Sequence, residues 1–336
     1  MSRSPSSQVA NTLRNLLVLF ATGAALGVAA IAASQAPPHG DPATIEEITV
    51  IGRYPGPPLW RVSSGEHVLW IFGDLTPVPK GLSWDPRNAE RVLARADGVI
   101  GPMRIRAPTY NPIKIFRALR AARRLTRNPD GMTLADVVPP DLYARYDALR
   151  RRHAPDDERG EELRPALAVL RLHGAALDDV GLTTNTGVMK TVERLMKRSD
   201  AEDAQPRVET EASTVLAELA KVTREAELNC FATVLTTLET DLAGMKERAE
   251  AWATGDVDAL QRFDYPDPQG DCVEMLFSAG GLRDLGDELF ATWLREAEHA
   301  LATYDTTFAV LPMRELVAAD GLLAQLAARG YTVTPP

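Results

Sequence analysis

Between residues 67 and 72 the apolar side chains alternate without a polar gap. Val68, Trp70 and Phe72 fall on one face, Leu69 and Ile71 on the other. A run apolar on both faces predicts a strand buried on both sides. Residues 59–62 predict its partner, and Arg61-Val62-Ser63-Ser64-Gly65-Glu66 supplies the hairpin turn. Residues 45–52, IEEITVIG, predict a further short strand upstream. Gly73 closes the central run, and a glycine there permits a tight turn that exposes Asp74 and Thr76. Asp85-Pro86 then predicts a helix start, with Asp as N-cap and Pro in the first turn. Ala89, Val92, Leu93 and Ala96 keep helical spacing into a strand at 98–100, which completes a β-β-α-β opening.

From residue 112 to about 262 the strand signal fades. Segments 113–125, 142–151, 163–177, 188–197, 213–225 and 226–253 all carry helical spacing, separated by proline-containing breaks. The chain then predicts a helix over 285–303, a strand over 307–311, a helix over 320–329 and a strand over 331–333. Asp320 offers an N-cap to the last helix and Gly330 a stop. The expected fold is α/β (or α+β): a mixed central sheet built from both chain ends, with a large helical insertion at about 112–265. Trp60, Trp70, Trp252 and Trp293 read as core anchors. Trp84 lies in a loop and could serve as a stacking platform for a glycan.

A chain of 336 residues accommodates one large domain or two small ones, and 45% hydrophobic with 25% charged residues is ordinary for a globular protein. The N-terminus changes the picture. Residues 16–33 are almost wholly apolar, flanked upstream by Arg3 and Arg14, with Ala30-Ile31-Ala32 as a small-x-small cleavage site. Residues 1–33 therefore predict a signal peptide or an N-terminal membrane anchor, and Pro-rich residues 34–44 a linker. The body, 45–336, is expected in the periplasm. Without the leader it carries 35 basic against 46 acidic groups, which disfavours nucleic-acid binding through phosphates. Cys230 and Cys272 lie in this exported body, so a disulfide is expected, with two buried thiols as the alternative.

There is no Gly-x-Ser-x-Gly elbow, no Ser-x-x-Lys pair and no Gly-rich phosphate loop. The histidines at 39, 67, 153, 173 and 299 stand apart, none at metal-ligand spacing, and read as surface or core residues. The run KIFRALRAARRLTR places Arg117, Arg120, Arg124 and Arg127 in a stripe opposite Ile115, Leu119 and Ala122. Such a stripe is a solvated helix face or a surface for anionic lipid or an acidic partner, which Arg150-Arg151-Arg152 could extend.

The stretch PLWRVSSGEHVLWIFGDLTPVPKGLSW at 58–84 resembles the TraB/GumN family, which also includes the Tiki metalloproteases. The family's first signature is a strand followed by Gly-x-x-His. In Gly73-Asp74-Leu75-Thr76 the glycine is present and the histidine is not. The stretch TTFAVLPMRELVAADGLLAQLAARGYTV resembles the C-terminal block, where the second Gly-x-x-His falls at Pro312 and Glu315. A family glutamate after the strand at 98–100 falls at Pro102, and EAWATGDVDAL at 250–260 also looks like the family. The resemblance suggests a short strand at 207–209. It implies a divalent metal at the strand ends, activating water for hydrolysis. Because the ligand positions depart from the pattern, the expected function is that of a catalytically degenerate member. It would act by binding an envelope protein or ligand, with no cofactor and no confident catalytic residue. The alternative is a hydrolase whose candidate pocket is Asp74, Thr76, Arg314 and Glu315, with the two carboxylates holding one divalent metal.

Overall fold

The computed structural model describes residues 57–82, 84–106, 120, 125–185, 187–265, 270, 272, 275 and 283–336. The predicted strand at 45–52 and most of the predicted helix at 113–125 lie outside them. The opening hairpin joins β1 (Leu59–Ser64) to β2 (His67–Asp74), turning at Gly65, whose φ of +58° suits a glycine. After β3 (Val78–Pro79), α1 (Arg87–Leu93) crosses to β4 (Gly98–Ile100), and β5 (Arg104–Arg106) follows. Asp85 stands one residue ahead of the N-cap Pro86, and its Oδ1 accepts from the Arg87 N–H at 3.0 Å.

The insertion holds α2 (Leu134–Val137), α3 (Pro140–His153), α4 (Pro165–Asp179), β6 (Leu182–Thr183) and α5 (Gly187–Met196). It continues through β7 (Glu202–Ala204), β8 (Arg207–Glu209), α6 (Ala212–Leu219), α7 (Arg224–Thr240), α8 (Leu242–Thr254) and α9 (Val257–Arg262). The chain closes with α10 (Arg283–Thr303), β9 (Thr306–Pro312), α11 (Met313–Val317), α12 (Leu322–Ala328) and β10 (Thr332–Thr334).

Six strands form one mixed sheet in the order β10-β1-β2-β9-β4-β7. β2, β9, β4 and β7 run parallel, and β1 is antiparallel to both β2 and β10. Both chain ends therefore meet in the sheet, as the sequence predicts. The insertion is not purely helical, however: β7 returns to the sheet edge, and β8 pairs in parallel with β5 as a separate two-stranded sheet. The segment predicted as one helix over 226–253 breaks at Asp241, which leaves helical dihedrals (φ −122°, ψ 2°). Its carboxylate takes a two-pronged bond from Arg248 at 2.5 and 3.0 Å, an interaction specific to the kinked chain. The expected N-cap Asp320 is also displaced. Gly321 holds the cap, and a Cβ there would press on the Glu315 and Ala318 carbonyls.

The sheet packs around Trp60, Leu69, Ile71, Phe72, Trp252 and Trp293. A second core, with Tyr146, Leu172, Phe231 and Leu235, lies inside the helical insertion. Cys230 and Cys272 form a disulfide within it, with Cα atoms 4.6 Å apart across 42 residues of sequence. Closing a loop of that length restricts the unfolded chain, so reduction is expected to cost about 2–4 kcal/mol. Urea denaturation with and without reductant measures this, alongside Cys230→Ser. Coincident curves would mean the bridge adds nothing. Among the described residues no helix is long and apolar enough to cross a membrane.

Candidate functional site at the parallel strand ends

The parallel register gathers the sites of interest at one edge. Asp74 pairs with Pro312 across β2 and β9, and Ile100 pairs with Ala309 across β4 and β9. The loops leaving β2, β4, β7 and β9 thus emerge together, at the carboxyl edge where open sheets hold ligands. Each carries a proline soon after or at the strand end: Pro77, Pro102, Pro206 and Pro312. Proline removes a backbone donor and stops the ladder, so this edge is stiff and poor in free N–H groups.

Gly73 does not make the tight turn expected of it. β2 continues through it to Asp74, and it is not among the glycines with left-handed φ. A Cβ at Gly73 would overlap the Met313 thioether and come within 3.0 Å of Leu316 and 3.1 Å of Trp60. Close approach of α11 is what demands glycine. The Gly73 carbonyl also accepts from Trp252 Nε1 at 2.8 Å, which pins α8 over the strand end.

Asp74 is partly buried beside Glu193 of α5, and Glu193 is held by Arg104 of β5 at 2.5 Å. Burial, then the Glu193 charge, pushes the Asp74 carboxyl up to about 7. Glu315 is buried in α11. Burial raises its carboxyl to about 7, although the Arg314 charge and a hydrogen bond from the Leu322 N–H work against the rise and Asp320 adds to it. Two carboxyls at one sheet edge are therefore poised to titrate near neutrality. The charges acting on them do not overlap: Asp74 answers to Glu193, Glu315 to Arg314 and Asp320. The register sets their segments side by side, yet each carboxyl has its own surroundings. Thr76 is partly buried beyond Asp74, and Arg314 is partly exposed beside Glu315.

Glu193 and Arg104 were not legible as site residues. They lie 89 residues apart, and Glu193 rides a helix whose apolar stripe, Val188, Val192 and Met196, looks like any other core-facing face. Among the described residues no three His, Cys, Asp or Glu side chains gather as a metal cluster. His67 lies at the opposite end of β2, its Nδ1 2.7 Å from the Tyr304 carbonyl, and His153 pairs with Asp179 at 2.8 Å. Trp84 is partly exposed, with its ring tilted against that of Phe72 at a centroid distance of 5.9 Å. Of the basic stripe, Arg117 and Arg124 lie outside the described residues, Arg120 is exposed, and Arg127 pairs with Glu162 at 2.8 Å. Arg150 and Arg151 both turn to Asp147 on their own helix.

Residues 58–335 match the sequence model of the TraB/PrgY/gumN family. No curated protein and no solved structure matches the chain.

Proposed function

This chain belongs to the TraB/PrgY/gumN family, and on that premise we propose that it is an exported cell-envelope protein that has lost the family's metal-hydrolase constellation and acts by binding. The observation that carries this reading is the donor set: among the described residues no three His, Cys, Asp or Glu side chains gather where they could hold a metal. A metal-holding pair needs both carboxylates ionised and converging on one point within about 2.0–2.6 Å. Here Glu315 accepts from the Leu322 N–H and lies beside Arg314, while Asp74 faces the Glu193–Arg104 pair. Proline at 102 and 312 supports it further, since neither position offers a ligand. Export rests on the apolar leader of residues 1–33, and the Cys230–Cys272 disulfide fits an oxidising compartment. The partner is an envelope protein or ligand received at the strand ends. Anionic lipid, met by the basic stripe, is the second surface in this reading.

The test is thermal denaturation of the purified exported form with Zn²⁺, Mn²⁺, Mg²⁺ or Ca²⁺, beside elemental analysis. No stabilisation by any of them, and no stoichiometric metal, is expected. Stoichiometric metal lost on Asp74→Asn would overturn the reading and restore a hydrolase using Asp74 and Glu315.

A further inference from the structure

A groove of about 550 Å³ opens between α1 and the sheet face, over the middle of β2 and the start of β9. Its apolar lining includes Trp70, Leu59, Val92 and Pro58, and Trp70 keeps part of its surface free. Two exposed arginines also line it, Arg91 in the last turn of α1 and Arg95 in the turn two residues past its end, and Pro336 closes the opposite side. Arg91 donates to Asn88 Oδ1 of its own helix. Among the described residues neither arginine takes part in an ion pair, although the chain carries a net charge of −9. Two guanidinium groups lining one groove, neither held by an acidic side chain, leave positive charge there that an anion would offset. The trough beside them is of the size and apolar character that receives small ligands.

We propose that this groove binds a small amphiphile with one anionic head, a medium-chain carboxylate whose head meets Arg91 and Arg95 and whose apolar body lies on Trp70. Guanidinium forks match a carboxylate in plane, and an indole offers a broad apolar floor. Charge complementarity selects this occupant over an uncharged chain. The site is separate from the strand-end edge and stands or falls without the reading given for that edge.

The test is titration of the full exported chain with ω-bromoundecanoate below its micelle concentration, followed by tryptophan fluorescence. Bromine near Trp70 should quench a saturable fraction of the emission, and Trp70→Phe should remove that fraction. The double variant Arg91→Glu, Arg95→Glu should weaken binding at least about tenfold while keeping the wild-type urea midpoint. Undecanol, with the same chain and no charge, should compete at least about tenfold less well than undecanoate. Absent or unsaturable quenching would overturn the proposal, as it would if another segment of the chain already fills the groove. Equal binding by the arginine variant, or equal competition by undecanol, would overturn it too.

Discussion

Trp252→Ala is expected to destabilise the protein by about 3–5 kcal/mol, the usual range for emptying a buried tryptophan site. The ring is fully buried between sheet and insertion, and it stands edge-on to Phe72 with centroids 6.3 Å apart. Its loss would also remove the indole N–H from the Gly73 carbonyl, at the strand end where the candidate site begins. The milder Trp252→Phe keeps much of the packing while deleting the hydrogen bond and part of the ring, so about 1–3 kcal/mol is expected. Urea midpoints of the two variants, read at unchanged m-value, separate packing from hydrogen bonding. If alanine cost no more than phenylalanine, the packing argument would fail. If phenylalanine cost nothing, α8 would be held by packing alone, and the bond to Gly73 would not be what sets the strand end.

The sequence carried the sheet's centre because β9 is buried on both faces and β2 is apolar on both, although Trp70, expected as a core anchor, stays partly exposed. β2 and β9 read as continuous apolar runs, and Gly65 marks the hairpin with a left-handed residue. β7 escaped for the opposite reason. Glu202 and Asp203 are exposed at the sheet edge, where charge guards against further pairing and erases the apolar signal. The break at Asp241 hid behind Leu238, Leu242 and Met245, whose helical spacing continues across it; only the partner seven residues on, Arg248, explains the kink. At the candidate site, Asp74 and Glu315 were legible because a strand end and a familiar motif frame them. Their neighbours were not. Glu193 and Arg104 meet through tertiary packing, and no local pattern distinguishes a carboxylate facing another carboxylate from one facing water. The role of Gly73 was misjudged for a related reason: its constraint comes from Met313 and Leu316, some 240 residues later in the chain.

Those same neighbours decide how stability responds to pH. Asp74→Asn and Glu315→Gln should each stabilise the protein above neutrality and leave it nearly unchanged below about pH 4. Both carboxyls sit near 7 in the folded chain, against ordinary values of 3.8 and 4.5. Between those limits the folded state holds protons that the unfolded state has released, so stability falls as pH rises. The loss begins near pH 4 and is complete once pH passes about 7, where both groups must be ionised in a poorly hydrated setting. At 1.36 kcal/mol per pH unit the penalty is roughly 2–4 kcal/mol for each group, with solvent reaching Asp74 reducing its share. An amide carries no such penalty, and glutamine at 315 keeps an oxygen for the Leu322 N–H. The decisive measurement is the difference in unfolding free energy between variant and wild type, followed from pH 4 to pH 8. A difference that grows with pH at both positions confirms carboxyls strained by burial. A difference independent of pH would show that Asp74 and Glu315 are hydrated in the folded protein.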